Sequence, residues 1–175
     1  QNTRLALTSI TVDDFLARRF DAWSMPRLVS PEGVDDKNGA IFPEKIEGKY
    51  VVLHRIAGHI CIDYVSTLEF DRPLMNYIEI MGPRWGMWDS RRIGIAGPPL
   101  KTDAGWLLFY HGLSEYGVYR VGAVLLDAGN PRRILARSAH ALFEPETDYE
   151  INGVVDQVVF PCGQVVRGDV IYMYY

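Results

Sequence analysis

Short β-rich runs recur along this chain, each closed by a turn bearing glycine or proline, and that spacing points to an all-β fold. Arg4 to Ser9 reads as a first strand. Ala40 to Glu44 precedes a second set, in which Lys45 to Lys49 turns at Glu47-Gly48 into the run Tyr50 to His54. Glycine at such a turn accepts positive φ without a steric penalty. Ile60 to Val65 and Tyr77 to Met81 follow. The clearest hairpin joins Trp106–His111 to Tyr119–Asp127, with Lys101 to Gly105 as a turn before it and Gly129-Asn130-Pro131 after it. Ile134 to Arg137, Val158 to Phe160 and Val170 to Tyr174 complete the series, and only Val12 to Phe20 carries some helical spacing. Strands at these intervals fit a sandwich, a barrel or a propeller, and without an exact repeat periodicity does not choose among them.

The bulk properties narrow the function classes. A chain of 175 residues falls in the range of one domain. Its net charge of -4 supplies no general attraction to nucleic acid or anionic membrane, so neither is expected as a partner. No apolar run approaches the roughly 20 residues that span a bilayer. Cys61 and Cys162 lack metal-ligand spacing, so no metal and a reduced, cytoplasmic setting are expected, with a single disulfide as the open alternative. His54, His59, His111 and His140 are dispersed, and no nucleotide-binding, zinc-protease or serine-hydrolase signature is present. Both ends, Arg4 to Ser9 and Val170 to Tyr175, look cut from a longer chain, because terminal residues rarely read as buried strands. The expected domain is therefore 1–175 as part of a larger fold.

Polar and basic residues gather at strand ends beside glycine and proline, where sites on rigid sheets usually form. Examples are Asp36-Lys37-Asn38-Gly39, His54-Arg55, Gly97 to Thr102 and Tyr110-His111-Gly112. Trp88 and Trp106 read as core aromatics, and Asp89 with Arg91 and Arg92 as a surface ion network of little energetic weight. Glu44 reads as a scaffold acceptor, His59 and His140 as structural, and Cys162 as a buried, inert thiol.

Three ordered segments resemble the signatures of glycoside hydrolase family 130, the β-mannoside phosphorylases and related β-mannosidases. They are Asp36 to Tyr50 leading to Leu53-His54-Arg55; Gly94 through Lys101-Thr102 and Gly105-Trp106 to Tyr110-His111-Gly112 and on to Asp127; and Leu142 to Pro145 with Tyr149-Glu150, then Val158 to Gly163. The resemblance implies a five-bladed β-propeller of which this chain covers roughly the C-terminal three blades. It implies inverting phosphorolysis of β-mannosides to α-mannose 1-phosphate, with inorganic phosphate as co-substrate and no cofactor. The general acid is expected upstream, so that no catalytic residue stands in this chain and the fragment alone is inactive. Lys37, His54, Lys101 and His111 are implied to line the phosphate and sugar side, with Tyr119, Gln157 and Phe160 shaping the sugar subsites. Departures from the family pattern stand at Asn38, at Ile56 and at Asp156-Gln157. Two alternatives stay open, a β-mannoside hydrolase of the same family and a non-catalytic carbohydrate-binding or scaffold module. Open sheet edges predict a homo-oligomer or association with the missing blades.

Overall fold

A computed structural model describes residues 2–175, and nearly all its regular structure is antiparallel sheet. β1 (Ala6–Leu7) pairs with β2 (Arg27–Leu28). Between them lie α1 (Val12–Leu16), capped by the Thr11 side chain on Asp14 N–H, and a 3-10 turn at Phe20–Ala22. A four-stranded meander follows, β3 (Asp36–Ile41), β4 (Tyr50–Ile56), β5 (His59–Val65) and β6 (Ile78–Met81), in spatial order β3-β4-β5-β6. The second large sheet contains β7 (Arg92–Ile95), β8 (Leu100–Thr102), β9 (Gly105–Leu113), β10 (Tyr119–Leu126) and β11 (Ile134–Arg137). Here β7 and β8 share one edge of β9, β7 along its Tyr110–Leu113 end and β8 along Gly105–Leu107. After α2 (Asp148–Ile151), the hairpin β12 (Gly163–Arg167) and β13 (Val170–Tyr174) closes the chain.

The turns that the sequence marks with glycine have the expected chemistry. Glu47 (φ 50°) and Gly48 (φ 76°) form a two-residue turn between Ile46 and Lys49, which exchange both backbone hydrogen bonds at 3.0 Å. Ala57 (φ 52°) and Gly58 (φ 84°) repeat this between β4 and β5.

The core lies between the two large sheets. Val51, Leu53, Ile60 and Ile62 of the meander pack with Ile93, Ile95, Trp106, Leu108, Tyr110, Val124 and Leu126. Each such side chain fully buried contributes about 1.5–3 kcal/mol of transfer free energy. The back of the meander is covered separately, by Val29, Val52 and Leu74 with Leu5, Leu7 and Phe70.

Several expectations are corrected. The segment Val158 to Phe160 makes a single bridge, Tyr119 with Val158, and no strand. Leu100–Thr102, expected partly as turn, is a strand because Leu100 and Lys101 pair with Leu107 and Trp106. Asp89 is wholly buried, and its partners are Arg84 and Arg137 and not Arg91 or Arg92. Cys162 is exposed, since it follows β-bridged residues at a loop and not in a strand. Trp106 is core, as expected, with Nε1 donating to the Ala128 carbonyl.

Candidate functional site

Side chains alternate across a strand, so Arg55 shares a face with Leu53 and Val51, the face turned toward the second sheet. Being beyond the last core leucine of that face, it comes out at the edge of the interface. The Ala57-Gly58 turn then docks the second sheet at this point: the Gly58 carbonyl accepts the Ile93 N–H at 3.0 Å. A Cβ on Gly58 would lie 3.0 Å from Arg92 Cβ, so glycine serves both the positive φ and the close approach. Arg92, opening β7, is thereby laid beside Arg55. Its Nη2 donates to the Tyr119 hydroxyl at 2.5 Å, and its guanidinium carbon stands 5.8 Å from the Tyr119 ring centre.

His111, on β9, is fully buried, and both arginines are near enough for their charges to act on it. Burial, and next the charges of Arg55 and Arg92, hold its imidazole neutral by pulling its pKa down to about 3. Neither ring nitrogen has a hydrogen-bond partner among the described residues, and the same holds for Asn38 Oδ1. These orphaned groups converge at one spot. A Cβ built on Gly94 would sit 2.5 Å from His111 Cε1, 2.6 Å from its Nε2 and 2.9 Å from Asn38 Oδ1. Phe160 covers His111 at a ring separation of 4.2 Å, and Tyr119 stands 6.0 Å away. Burial, and next the charge of Arg92, lowers the pKa of Arg55, so the two guanidiniums act on each other as like charges.

The geometry therefore gathers Arg55, Arg92, His111, Asn38, Tyr119 and Phe160 from both sheets and a loop. Gln157 joins through its backbone, its carbonyl accepting the Tyr119 N–H at 2.9 Å. Lys37 stands directly opposite Arg55 in the β3–β4 ladder, half-buried, with Asp35 3.9 Å away. Lys101 does not join this group. It pairs with Trp106, five residues along β9 from His111, roughly 17 Å by strand rise. Its ammonium group instead pairs with Glu44 on the exposed surface.

Nothing local in the sequence marks Arg55 and Arg92 as site residues, because isolated arginines at strand ends look like solvated turns. The signal that could have found them is the glycine pattern: Gly58, Gly94 and Gly112 interrupt or flank strands where another group approaches closely. Gly94→Ala is accordingly expected to displace His111 and cost about 1–3 kcal/mol by overpacking, read as a lower urea midpoint. An unchanged midpoint would contradict the packing described.

His54 has no exposed surface. Its Nδ1 lies 3.1 Å from Asp36 Oδ1 and its Nε2 3.2 Å from Asp63 Oδ2. Burial alone would lower its pKa, but the two carboxylates outweigh it and raise the value from 6.5 to about 9. A group that binds its proton more tightly when folded stabilises fully below its unfolded pKa, and that contribution is lost as pH rises through the folded value. The melting temperature is expected to fall between pH 6.5 and 9, and His54→Gln to be less stable but flat across that window. Parallel curves for the two proteins would contradict the assignment.

Comparison with known proteins identifies the family and the fold. The model of glycoside hydrolase family 130, described as beta-1,4-mannooligosaccharide phosphorylase, matches residues 19–175. A beta-1,2-mannobiose phosphorylase of Thermoanaerobacter sp. (strain X514) is 45% identical over 153 residues, covering 87% of this chain and 49% of that protein. The structure of the Listeria innocua beta-1,2-mannobiose phosphorylase in complex with beta-1,2-mannobiose aligns with TM-score 0.77 and 38% identity, over 87% of this chain and 44% of that one. Another solved structure aligns with TM-score 0.73 and 25% identity, over 87% of this chain and 51% of that one. Its description states that the mannoside phosphorylase family contains glycoside hydrolases targeting beta-1,2 mannosidic linkages in Candida mannan. The chain spans about half the length of the curated relatives it matches.

Proposed function

We infer, from the premise that this chain belongs to glycoside hydrolase family 130, that it supplies the phosphate-binding side of a β-mannoside phosphorylase. The observation that carries the reading is the Arg55–Arg92 pair set around a buried, neutral and unpartnered His111. Two guanidiniums and a neutral imidazole suit a phosphate. The arginines neutralise its charge and can fork onto its oxygens, and the imidazole adds one N–H donor or one acceptor. Asn38 and Lys37 stand on the adjoining strand.

Phosphorolysis by this reading needs no base. A phosphate oxygen forms a bond to the anomeric carbon while the glycosidic C–O bond breaks, and an acid gives its proton to the leaving oxygen. Attack from the opposite face inverts the configuration, so a β-mannoside yields α-mannose 1-phosphate. The chain's part is to hold the phosphate in line and offset its charge. Tyr119 and Phe160, an edge-to-face pair with ring centres 5.8 Å apart, wall the sugar next to it. We assign the acid to the part of the family's length that this sequence does not span. On the same reading the two large sheets are successive blades of a five-bladed propeller, and the chain contributes about three of the five.

A hydrolase remains the second reading, favoured by the likeness to a solved structure from a mannoside phosphorylase family that contains glycoside hydrolases. Water needs no cationic cradle, so the two readings separate in one experiment. The full-length protein is supplied with β-1,2-mannobiose, with and without inorganic phosphate, and the products are resolved. Consumption that requires phosphate and gives α-mannose 1-phosphate supports phosphorolysis. Release of free mannose alone, at a rate indifferent to phosphate, would establish hydrolysis instead.

A further inference from the structure

We propose that the buried Asp36–His54–Asp63 assembly is a positioning clasp that sets the aim of the anion cradle from behind the sheet. This rests on the cradle reading given above. Asp36, His54 and Asp63 come from β3, β4 and β5, and all three are 0–1% exposed. In the ladders Asp36 is opposite Ile56 and Asp63 opposite Val52, so each is a diagonal neighbour of His54 on one face. The next residue along each of two strands turns to the other face: Lys37 after Asp36 and Arg55 after His54, directly opposite one another. Fixing the clasp thus fixes the backbone from which both cationic side chains leave.

The ladder alone leaves this end of β3 weakly held. Pairing runs through Lys37, breaks, and resumes at Ala40, while Asn38 adopts φ 52°, an uncommon region for a residue with a side chain. Asn38 is also the residue whose Oδ1 points toward His111 and Gly94. Asp36 is two residues away, and its carboxylate is a buried side-chain tie close to the irregularity. On the far side, Asp63 is itself held by Asn76 Nδ2 at 2.7 Å and by the backbone N–H groups of Asn76 and Tyr77 at 3.2 and 3.3 Å. The clasp therefore runs from the segment before β6 through three strands to the cradle.

Stability does not account for it. Apolar residues of similar size serve as well or better than a buried ion pair in a core, and the opposite face of these strands uses them at Leu53 and Ile62. What buried charges add is directionality: Nδ1 of His54 hydrogen-bonds the Asp36 carboxylate, and its Nε2 side faces Asp63 Oδ2 at 3.2 Å.

The test uses steady-state kinetics on the full-length protein, with thermal melting to confirm that each variant is folded. Asp36→Asn and Asp63→Asn are expected to raise KM for phosphate about tenfold or more, with KM for the mannoside within twofold of wild type. Asn76→Ala leaves the three charged groups in place, so it serves where the other variants do not fold; it is expected to raise KM for phosphate two- to threefold. In an Arg55→Ala background the clasp variants are expected to add little, because they act through that residue. A purely structural group would shift both KM values or neither, and would add to Arg55→Ala. Folded clasp variants with wild-type phosphate KM, beside an Arg55→Ala variant with a raised one, would overturn the clasp alone. Wild-type phosphate KM in Arg55→Ala itself would overturn the cradle, and the clasp with it.

Discussion

Replacing Arg55 with alanine is expected to raise KM for phosphate roughly 10- to 100-fold. A hydrogen bond to a charged partner contributes about 1.5–3 kcal/mol, and each 1.4 kcal/mol is tenfold in affinity. Arg55 is half-buried at the join of the two sheets, where solvent screens its charge less than that of the exposed Arg92. Arg55→Lys keeps the charge and loses the planar fork, so partial recovery is expected. Arg92→Ala should give a smaller rise and also free the Tyr119 hydroxyl that it now contacts. Initial rates at varied phosphate measure all three, and an unchanged phosphate KM in Arg55→Ala would remove the cationic pair from the site.

The second large effect concerns stability. Asp89→Ala is expected to destabilise the fold by about 3–5 kcal/mol, because it strands partners of a buried charge. The carboxylate accepts from Arg84 Nε and Nη2 at 3.0 and 2.9 Å, from Arg137 Nη2 at 2.7 Å and from the Tyr110 hydroxyl at 2.9 Å. Its own side chain is 0% exposed, and those of Arg137 and Arg84 are 13% and 25% exposed, so little water can replace it. At this chain length the loss corresponds to a fall in Tm of roughly 6–20 °C. Arg137 also donates to the Gly82 carbonyl, so the network pins the whole loop that leads into Arg92. A Tm within about 2 °C of wild type, a loss of roughly 1 kcal/mol or less at this length, would show the network to be dispensable.

The strands were legible where apolar residues alternate or run together between glycine turns, as in Tyr50–Ile56, His59–Val65, Gly105–Leu113 and Tyr119–Leu126. They were hidden where function or geometry displaces the pattern. Asp36–Ile41 opens with three polar residues and a glycine, and Arg92–Ile95 has only four residues, one of them a glycine that makes way for His111. Leu100–Thr102 was hidden because the turn residues beside it dominate the local signal. The site divides along similar lines. His111, Tyr119 and Phe160 stand in segments whose order is distinctive, and the structure brings them together. Arg55 and Arg92 are 37 residues apart with nothing local to mark them, and only the docking of the Gly58 turn on β7 makes them neighbours. From sequence alone the ion network at Asp89 looks superficial, because charge in a loop usually is. Its burial depends on Arg137, 48 residues away on β11.

The central claim is that the buried, neutral His111 lies within the fields of two guanidiniums that we propose hold phosphate. NMR titration of the His111 imidazole measures this directly, with and without inorganic phosphate. The account predicts a pKa near 3 in the free protein, moving upward when phosphate binds and offsets the fields of Arg55 and Arg92. An ordinary pKa in the free protein, or one that phosphate leaves unmoved, would contradict it.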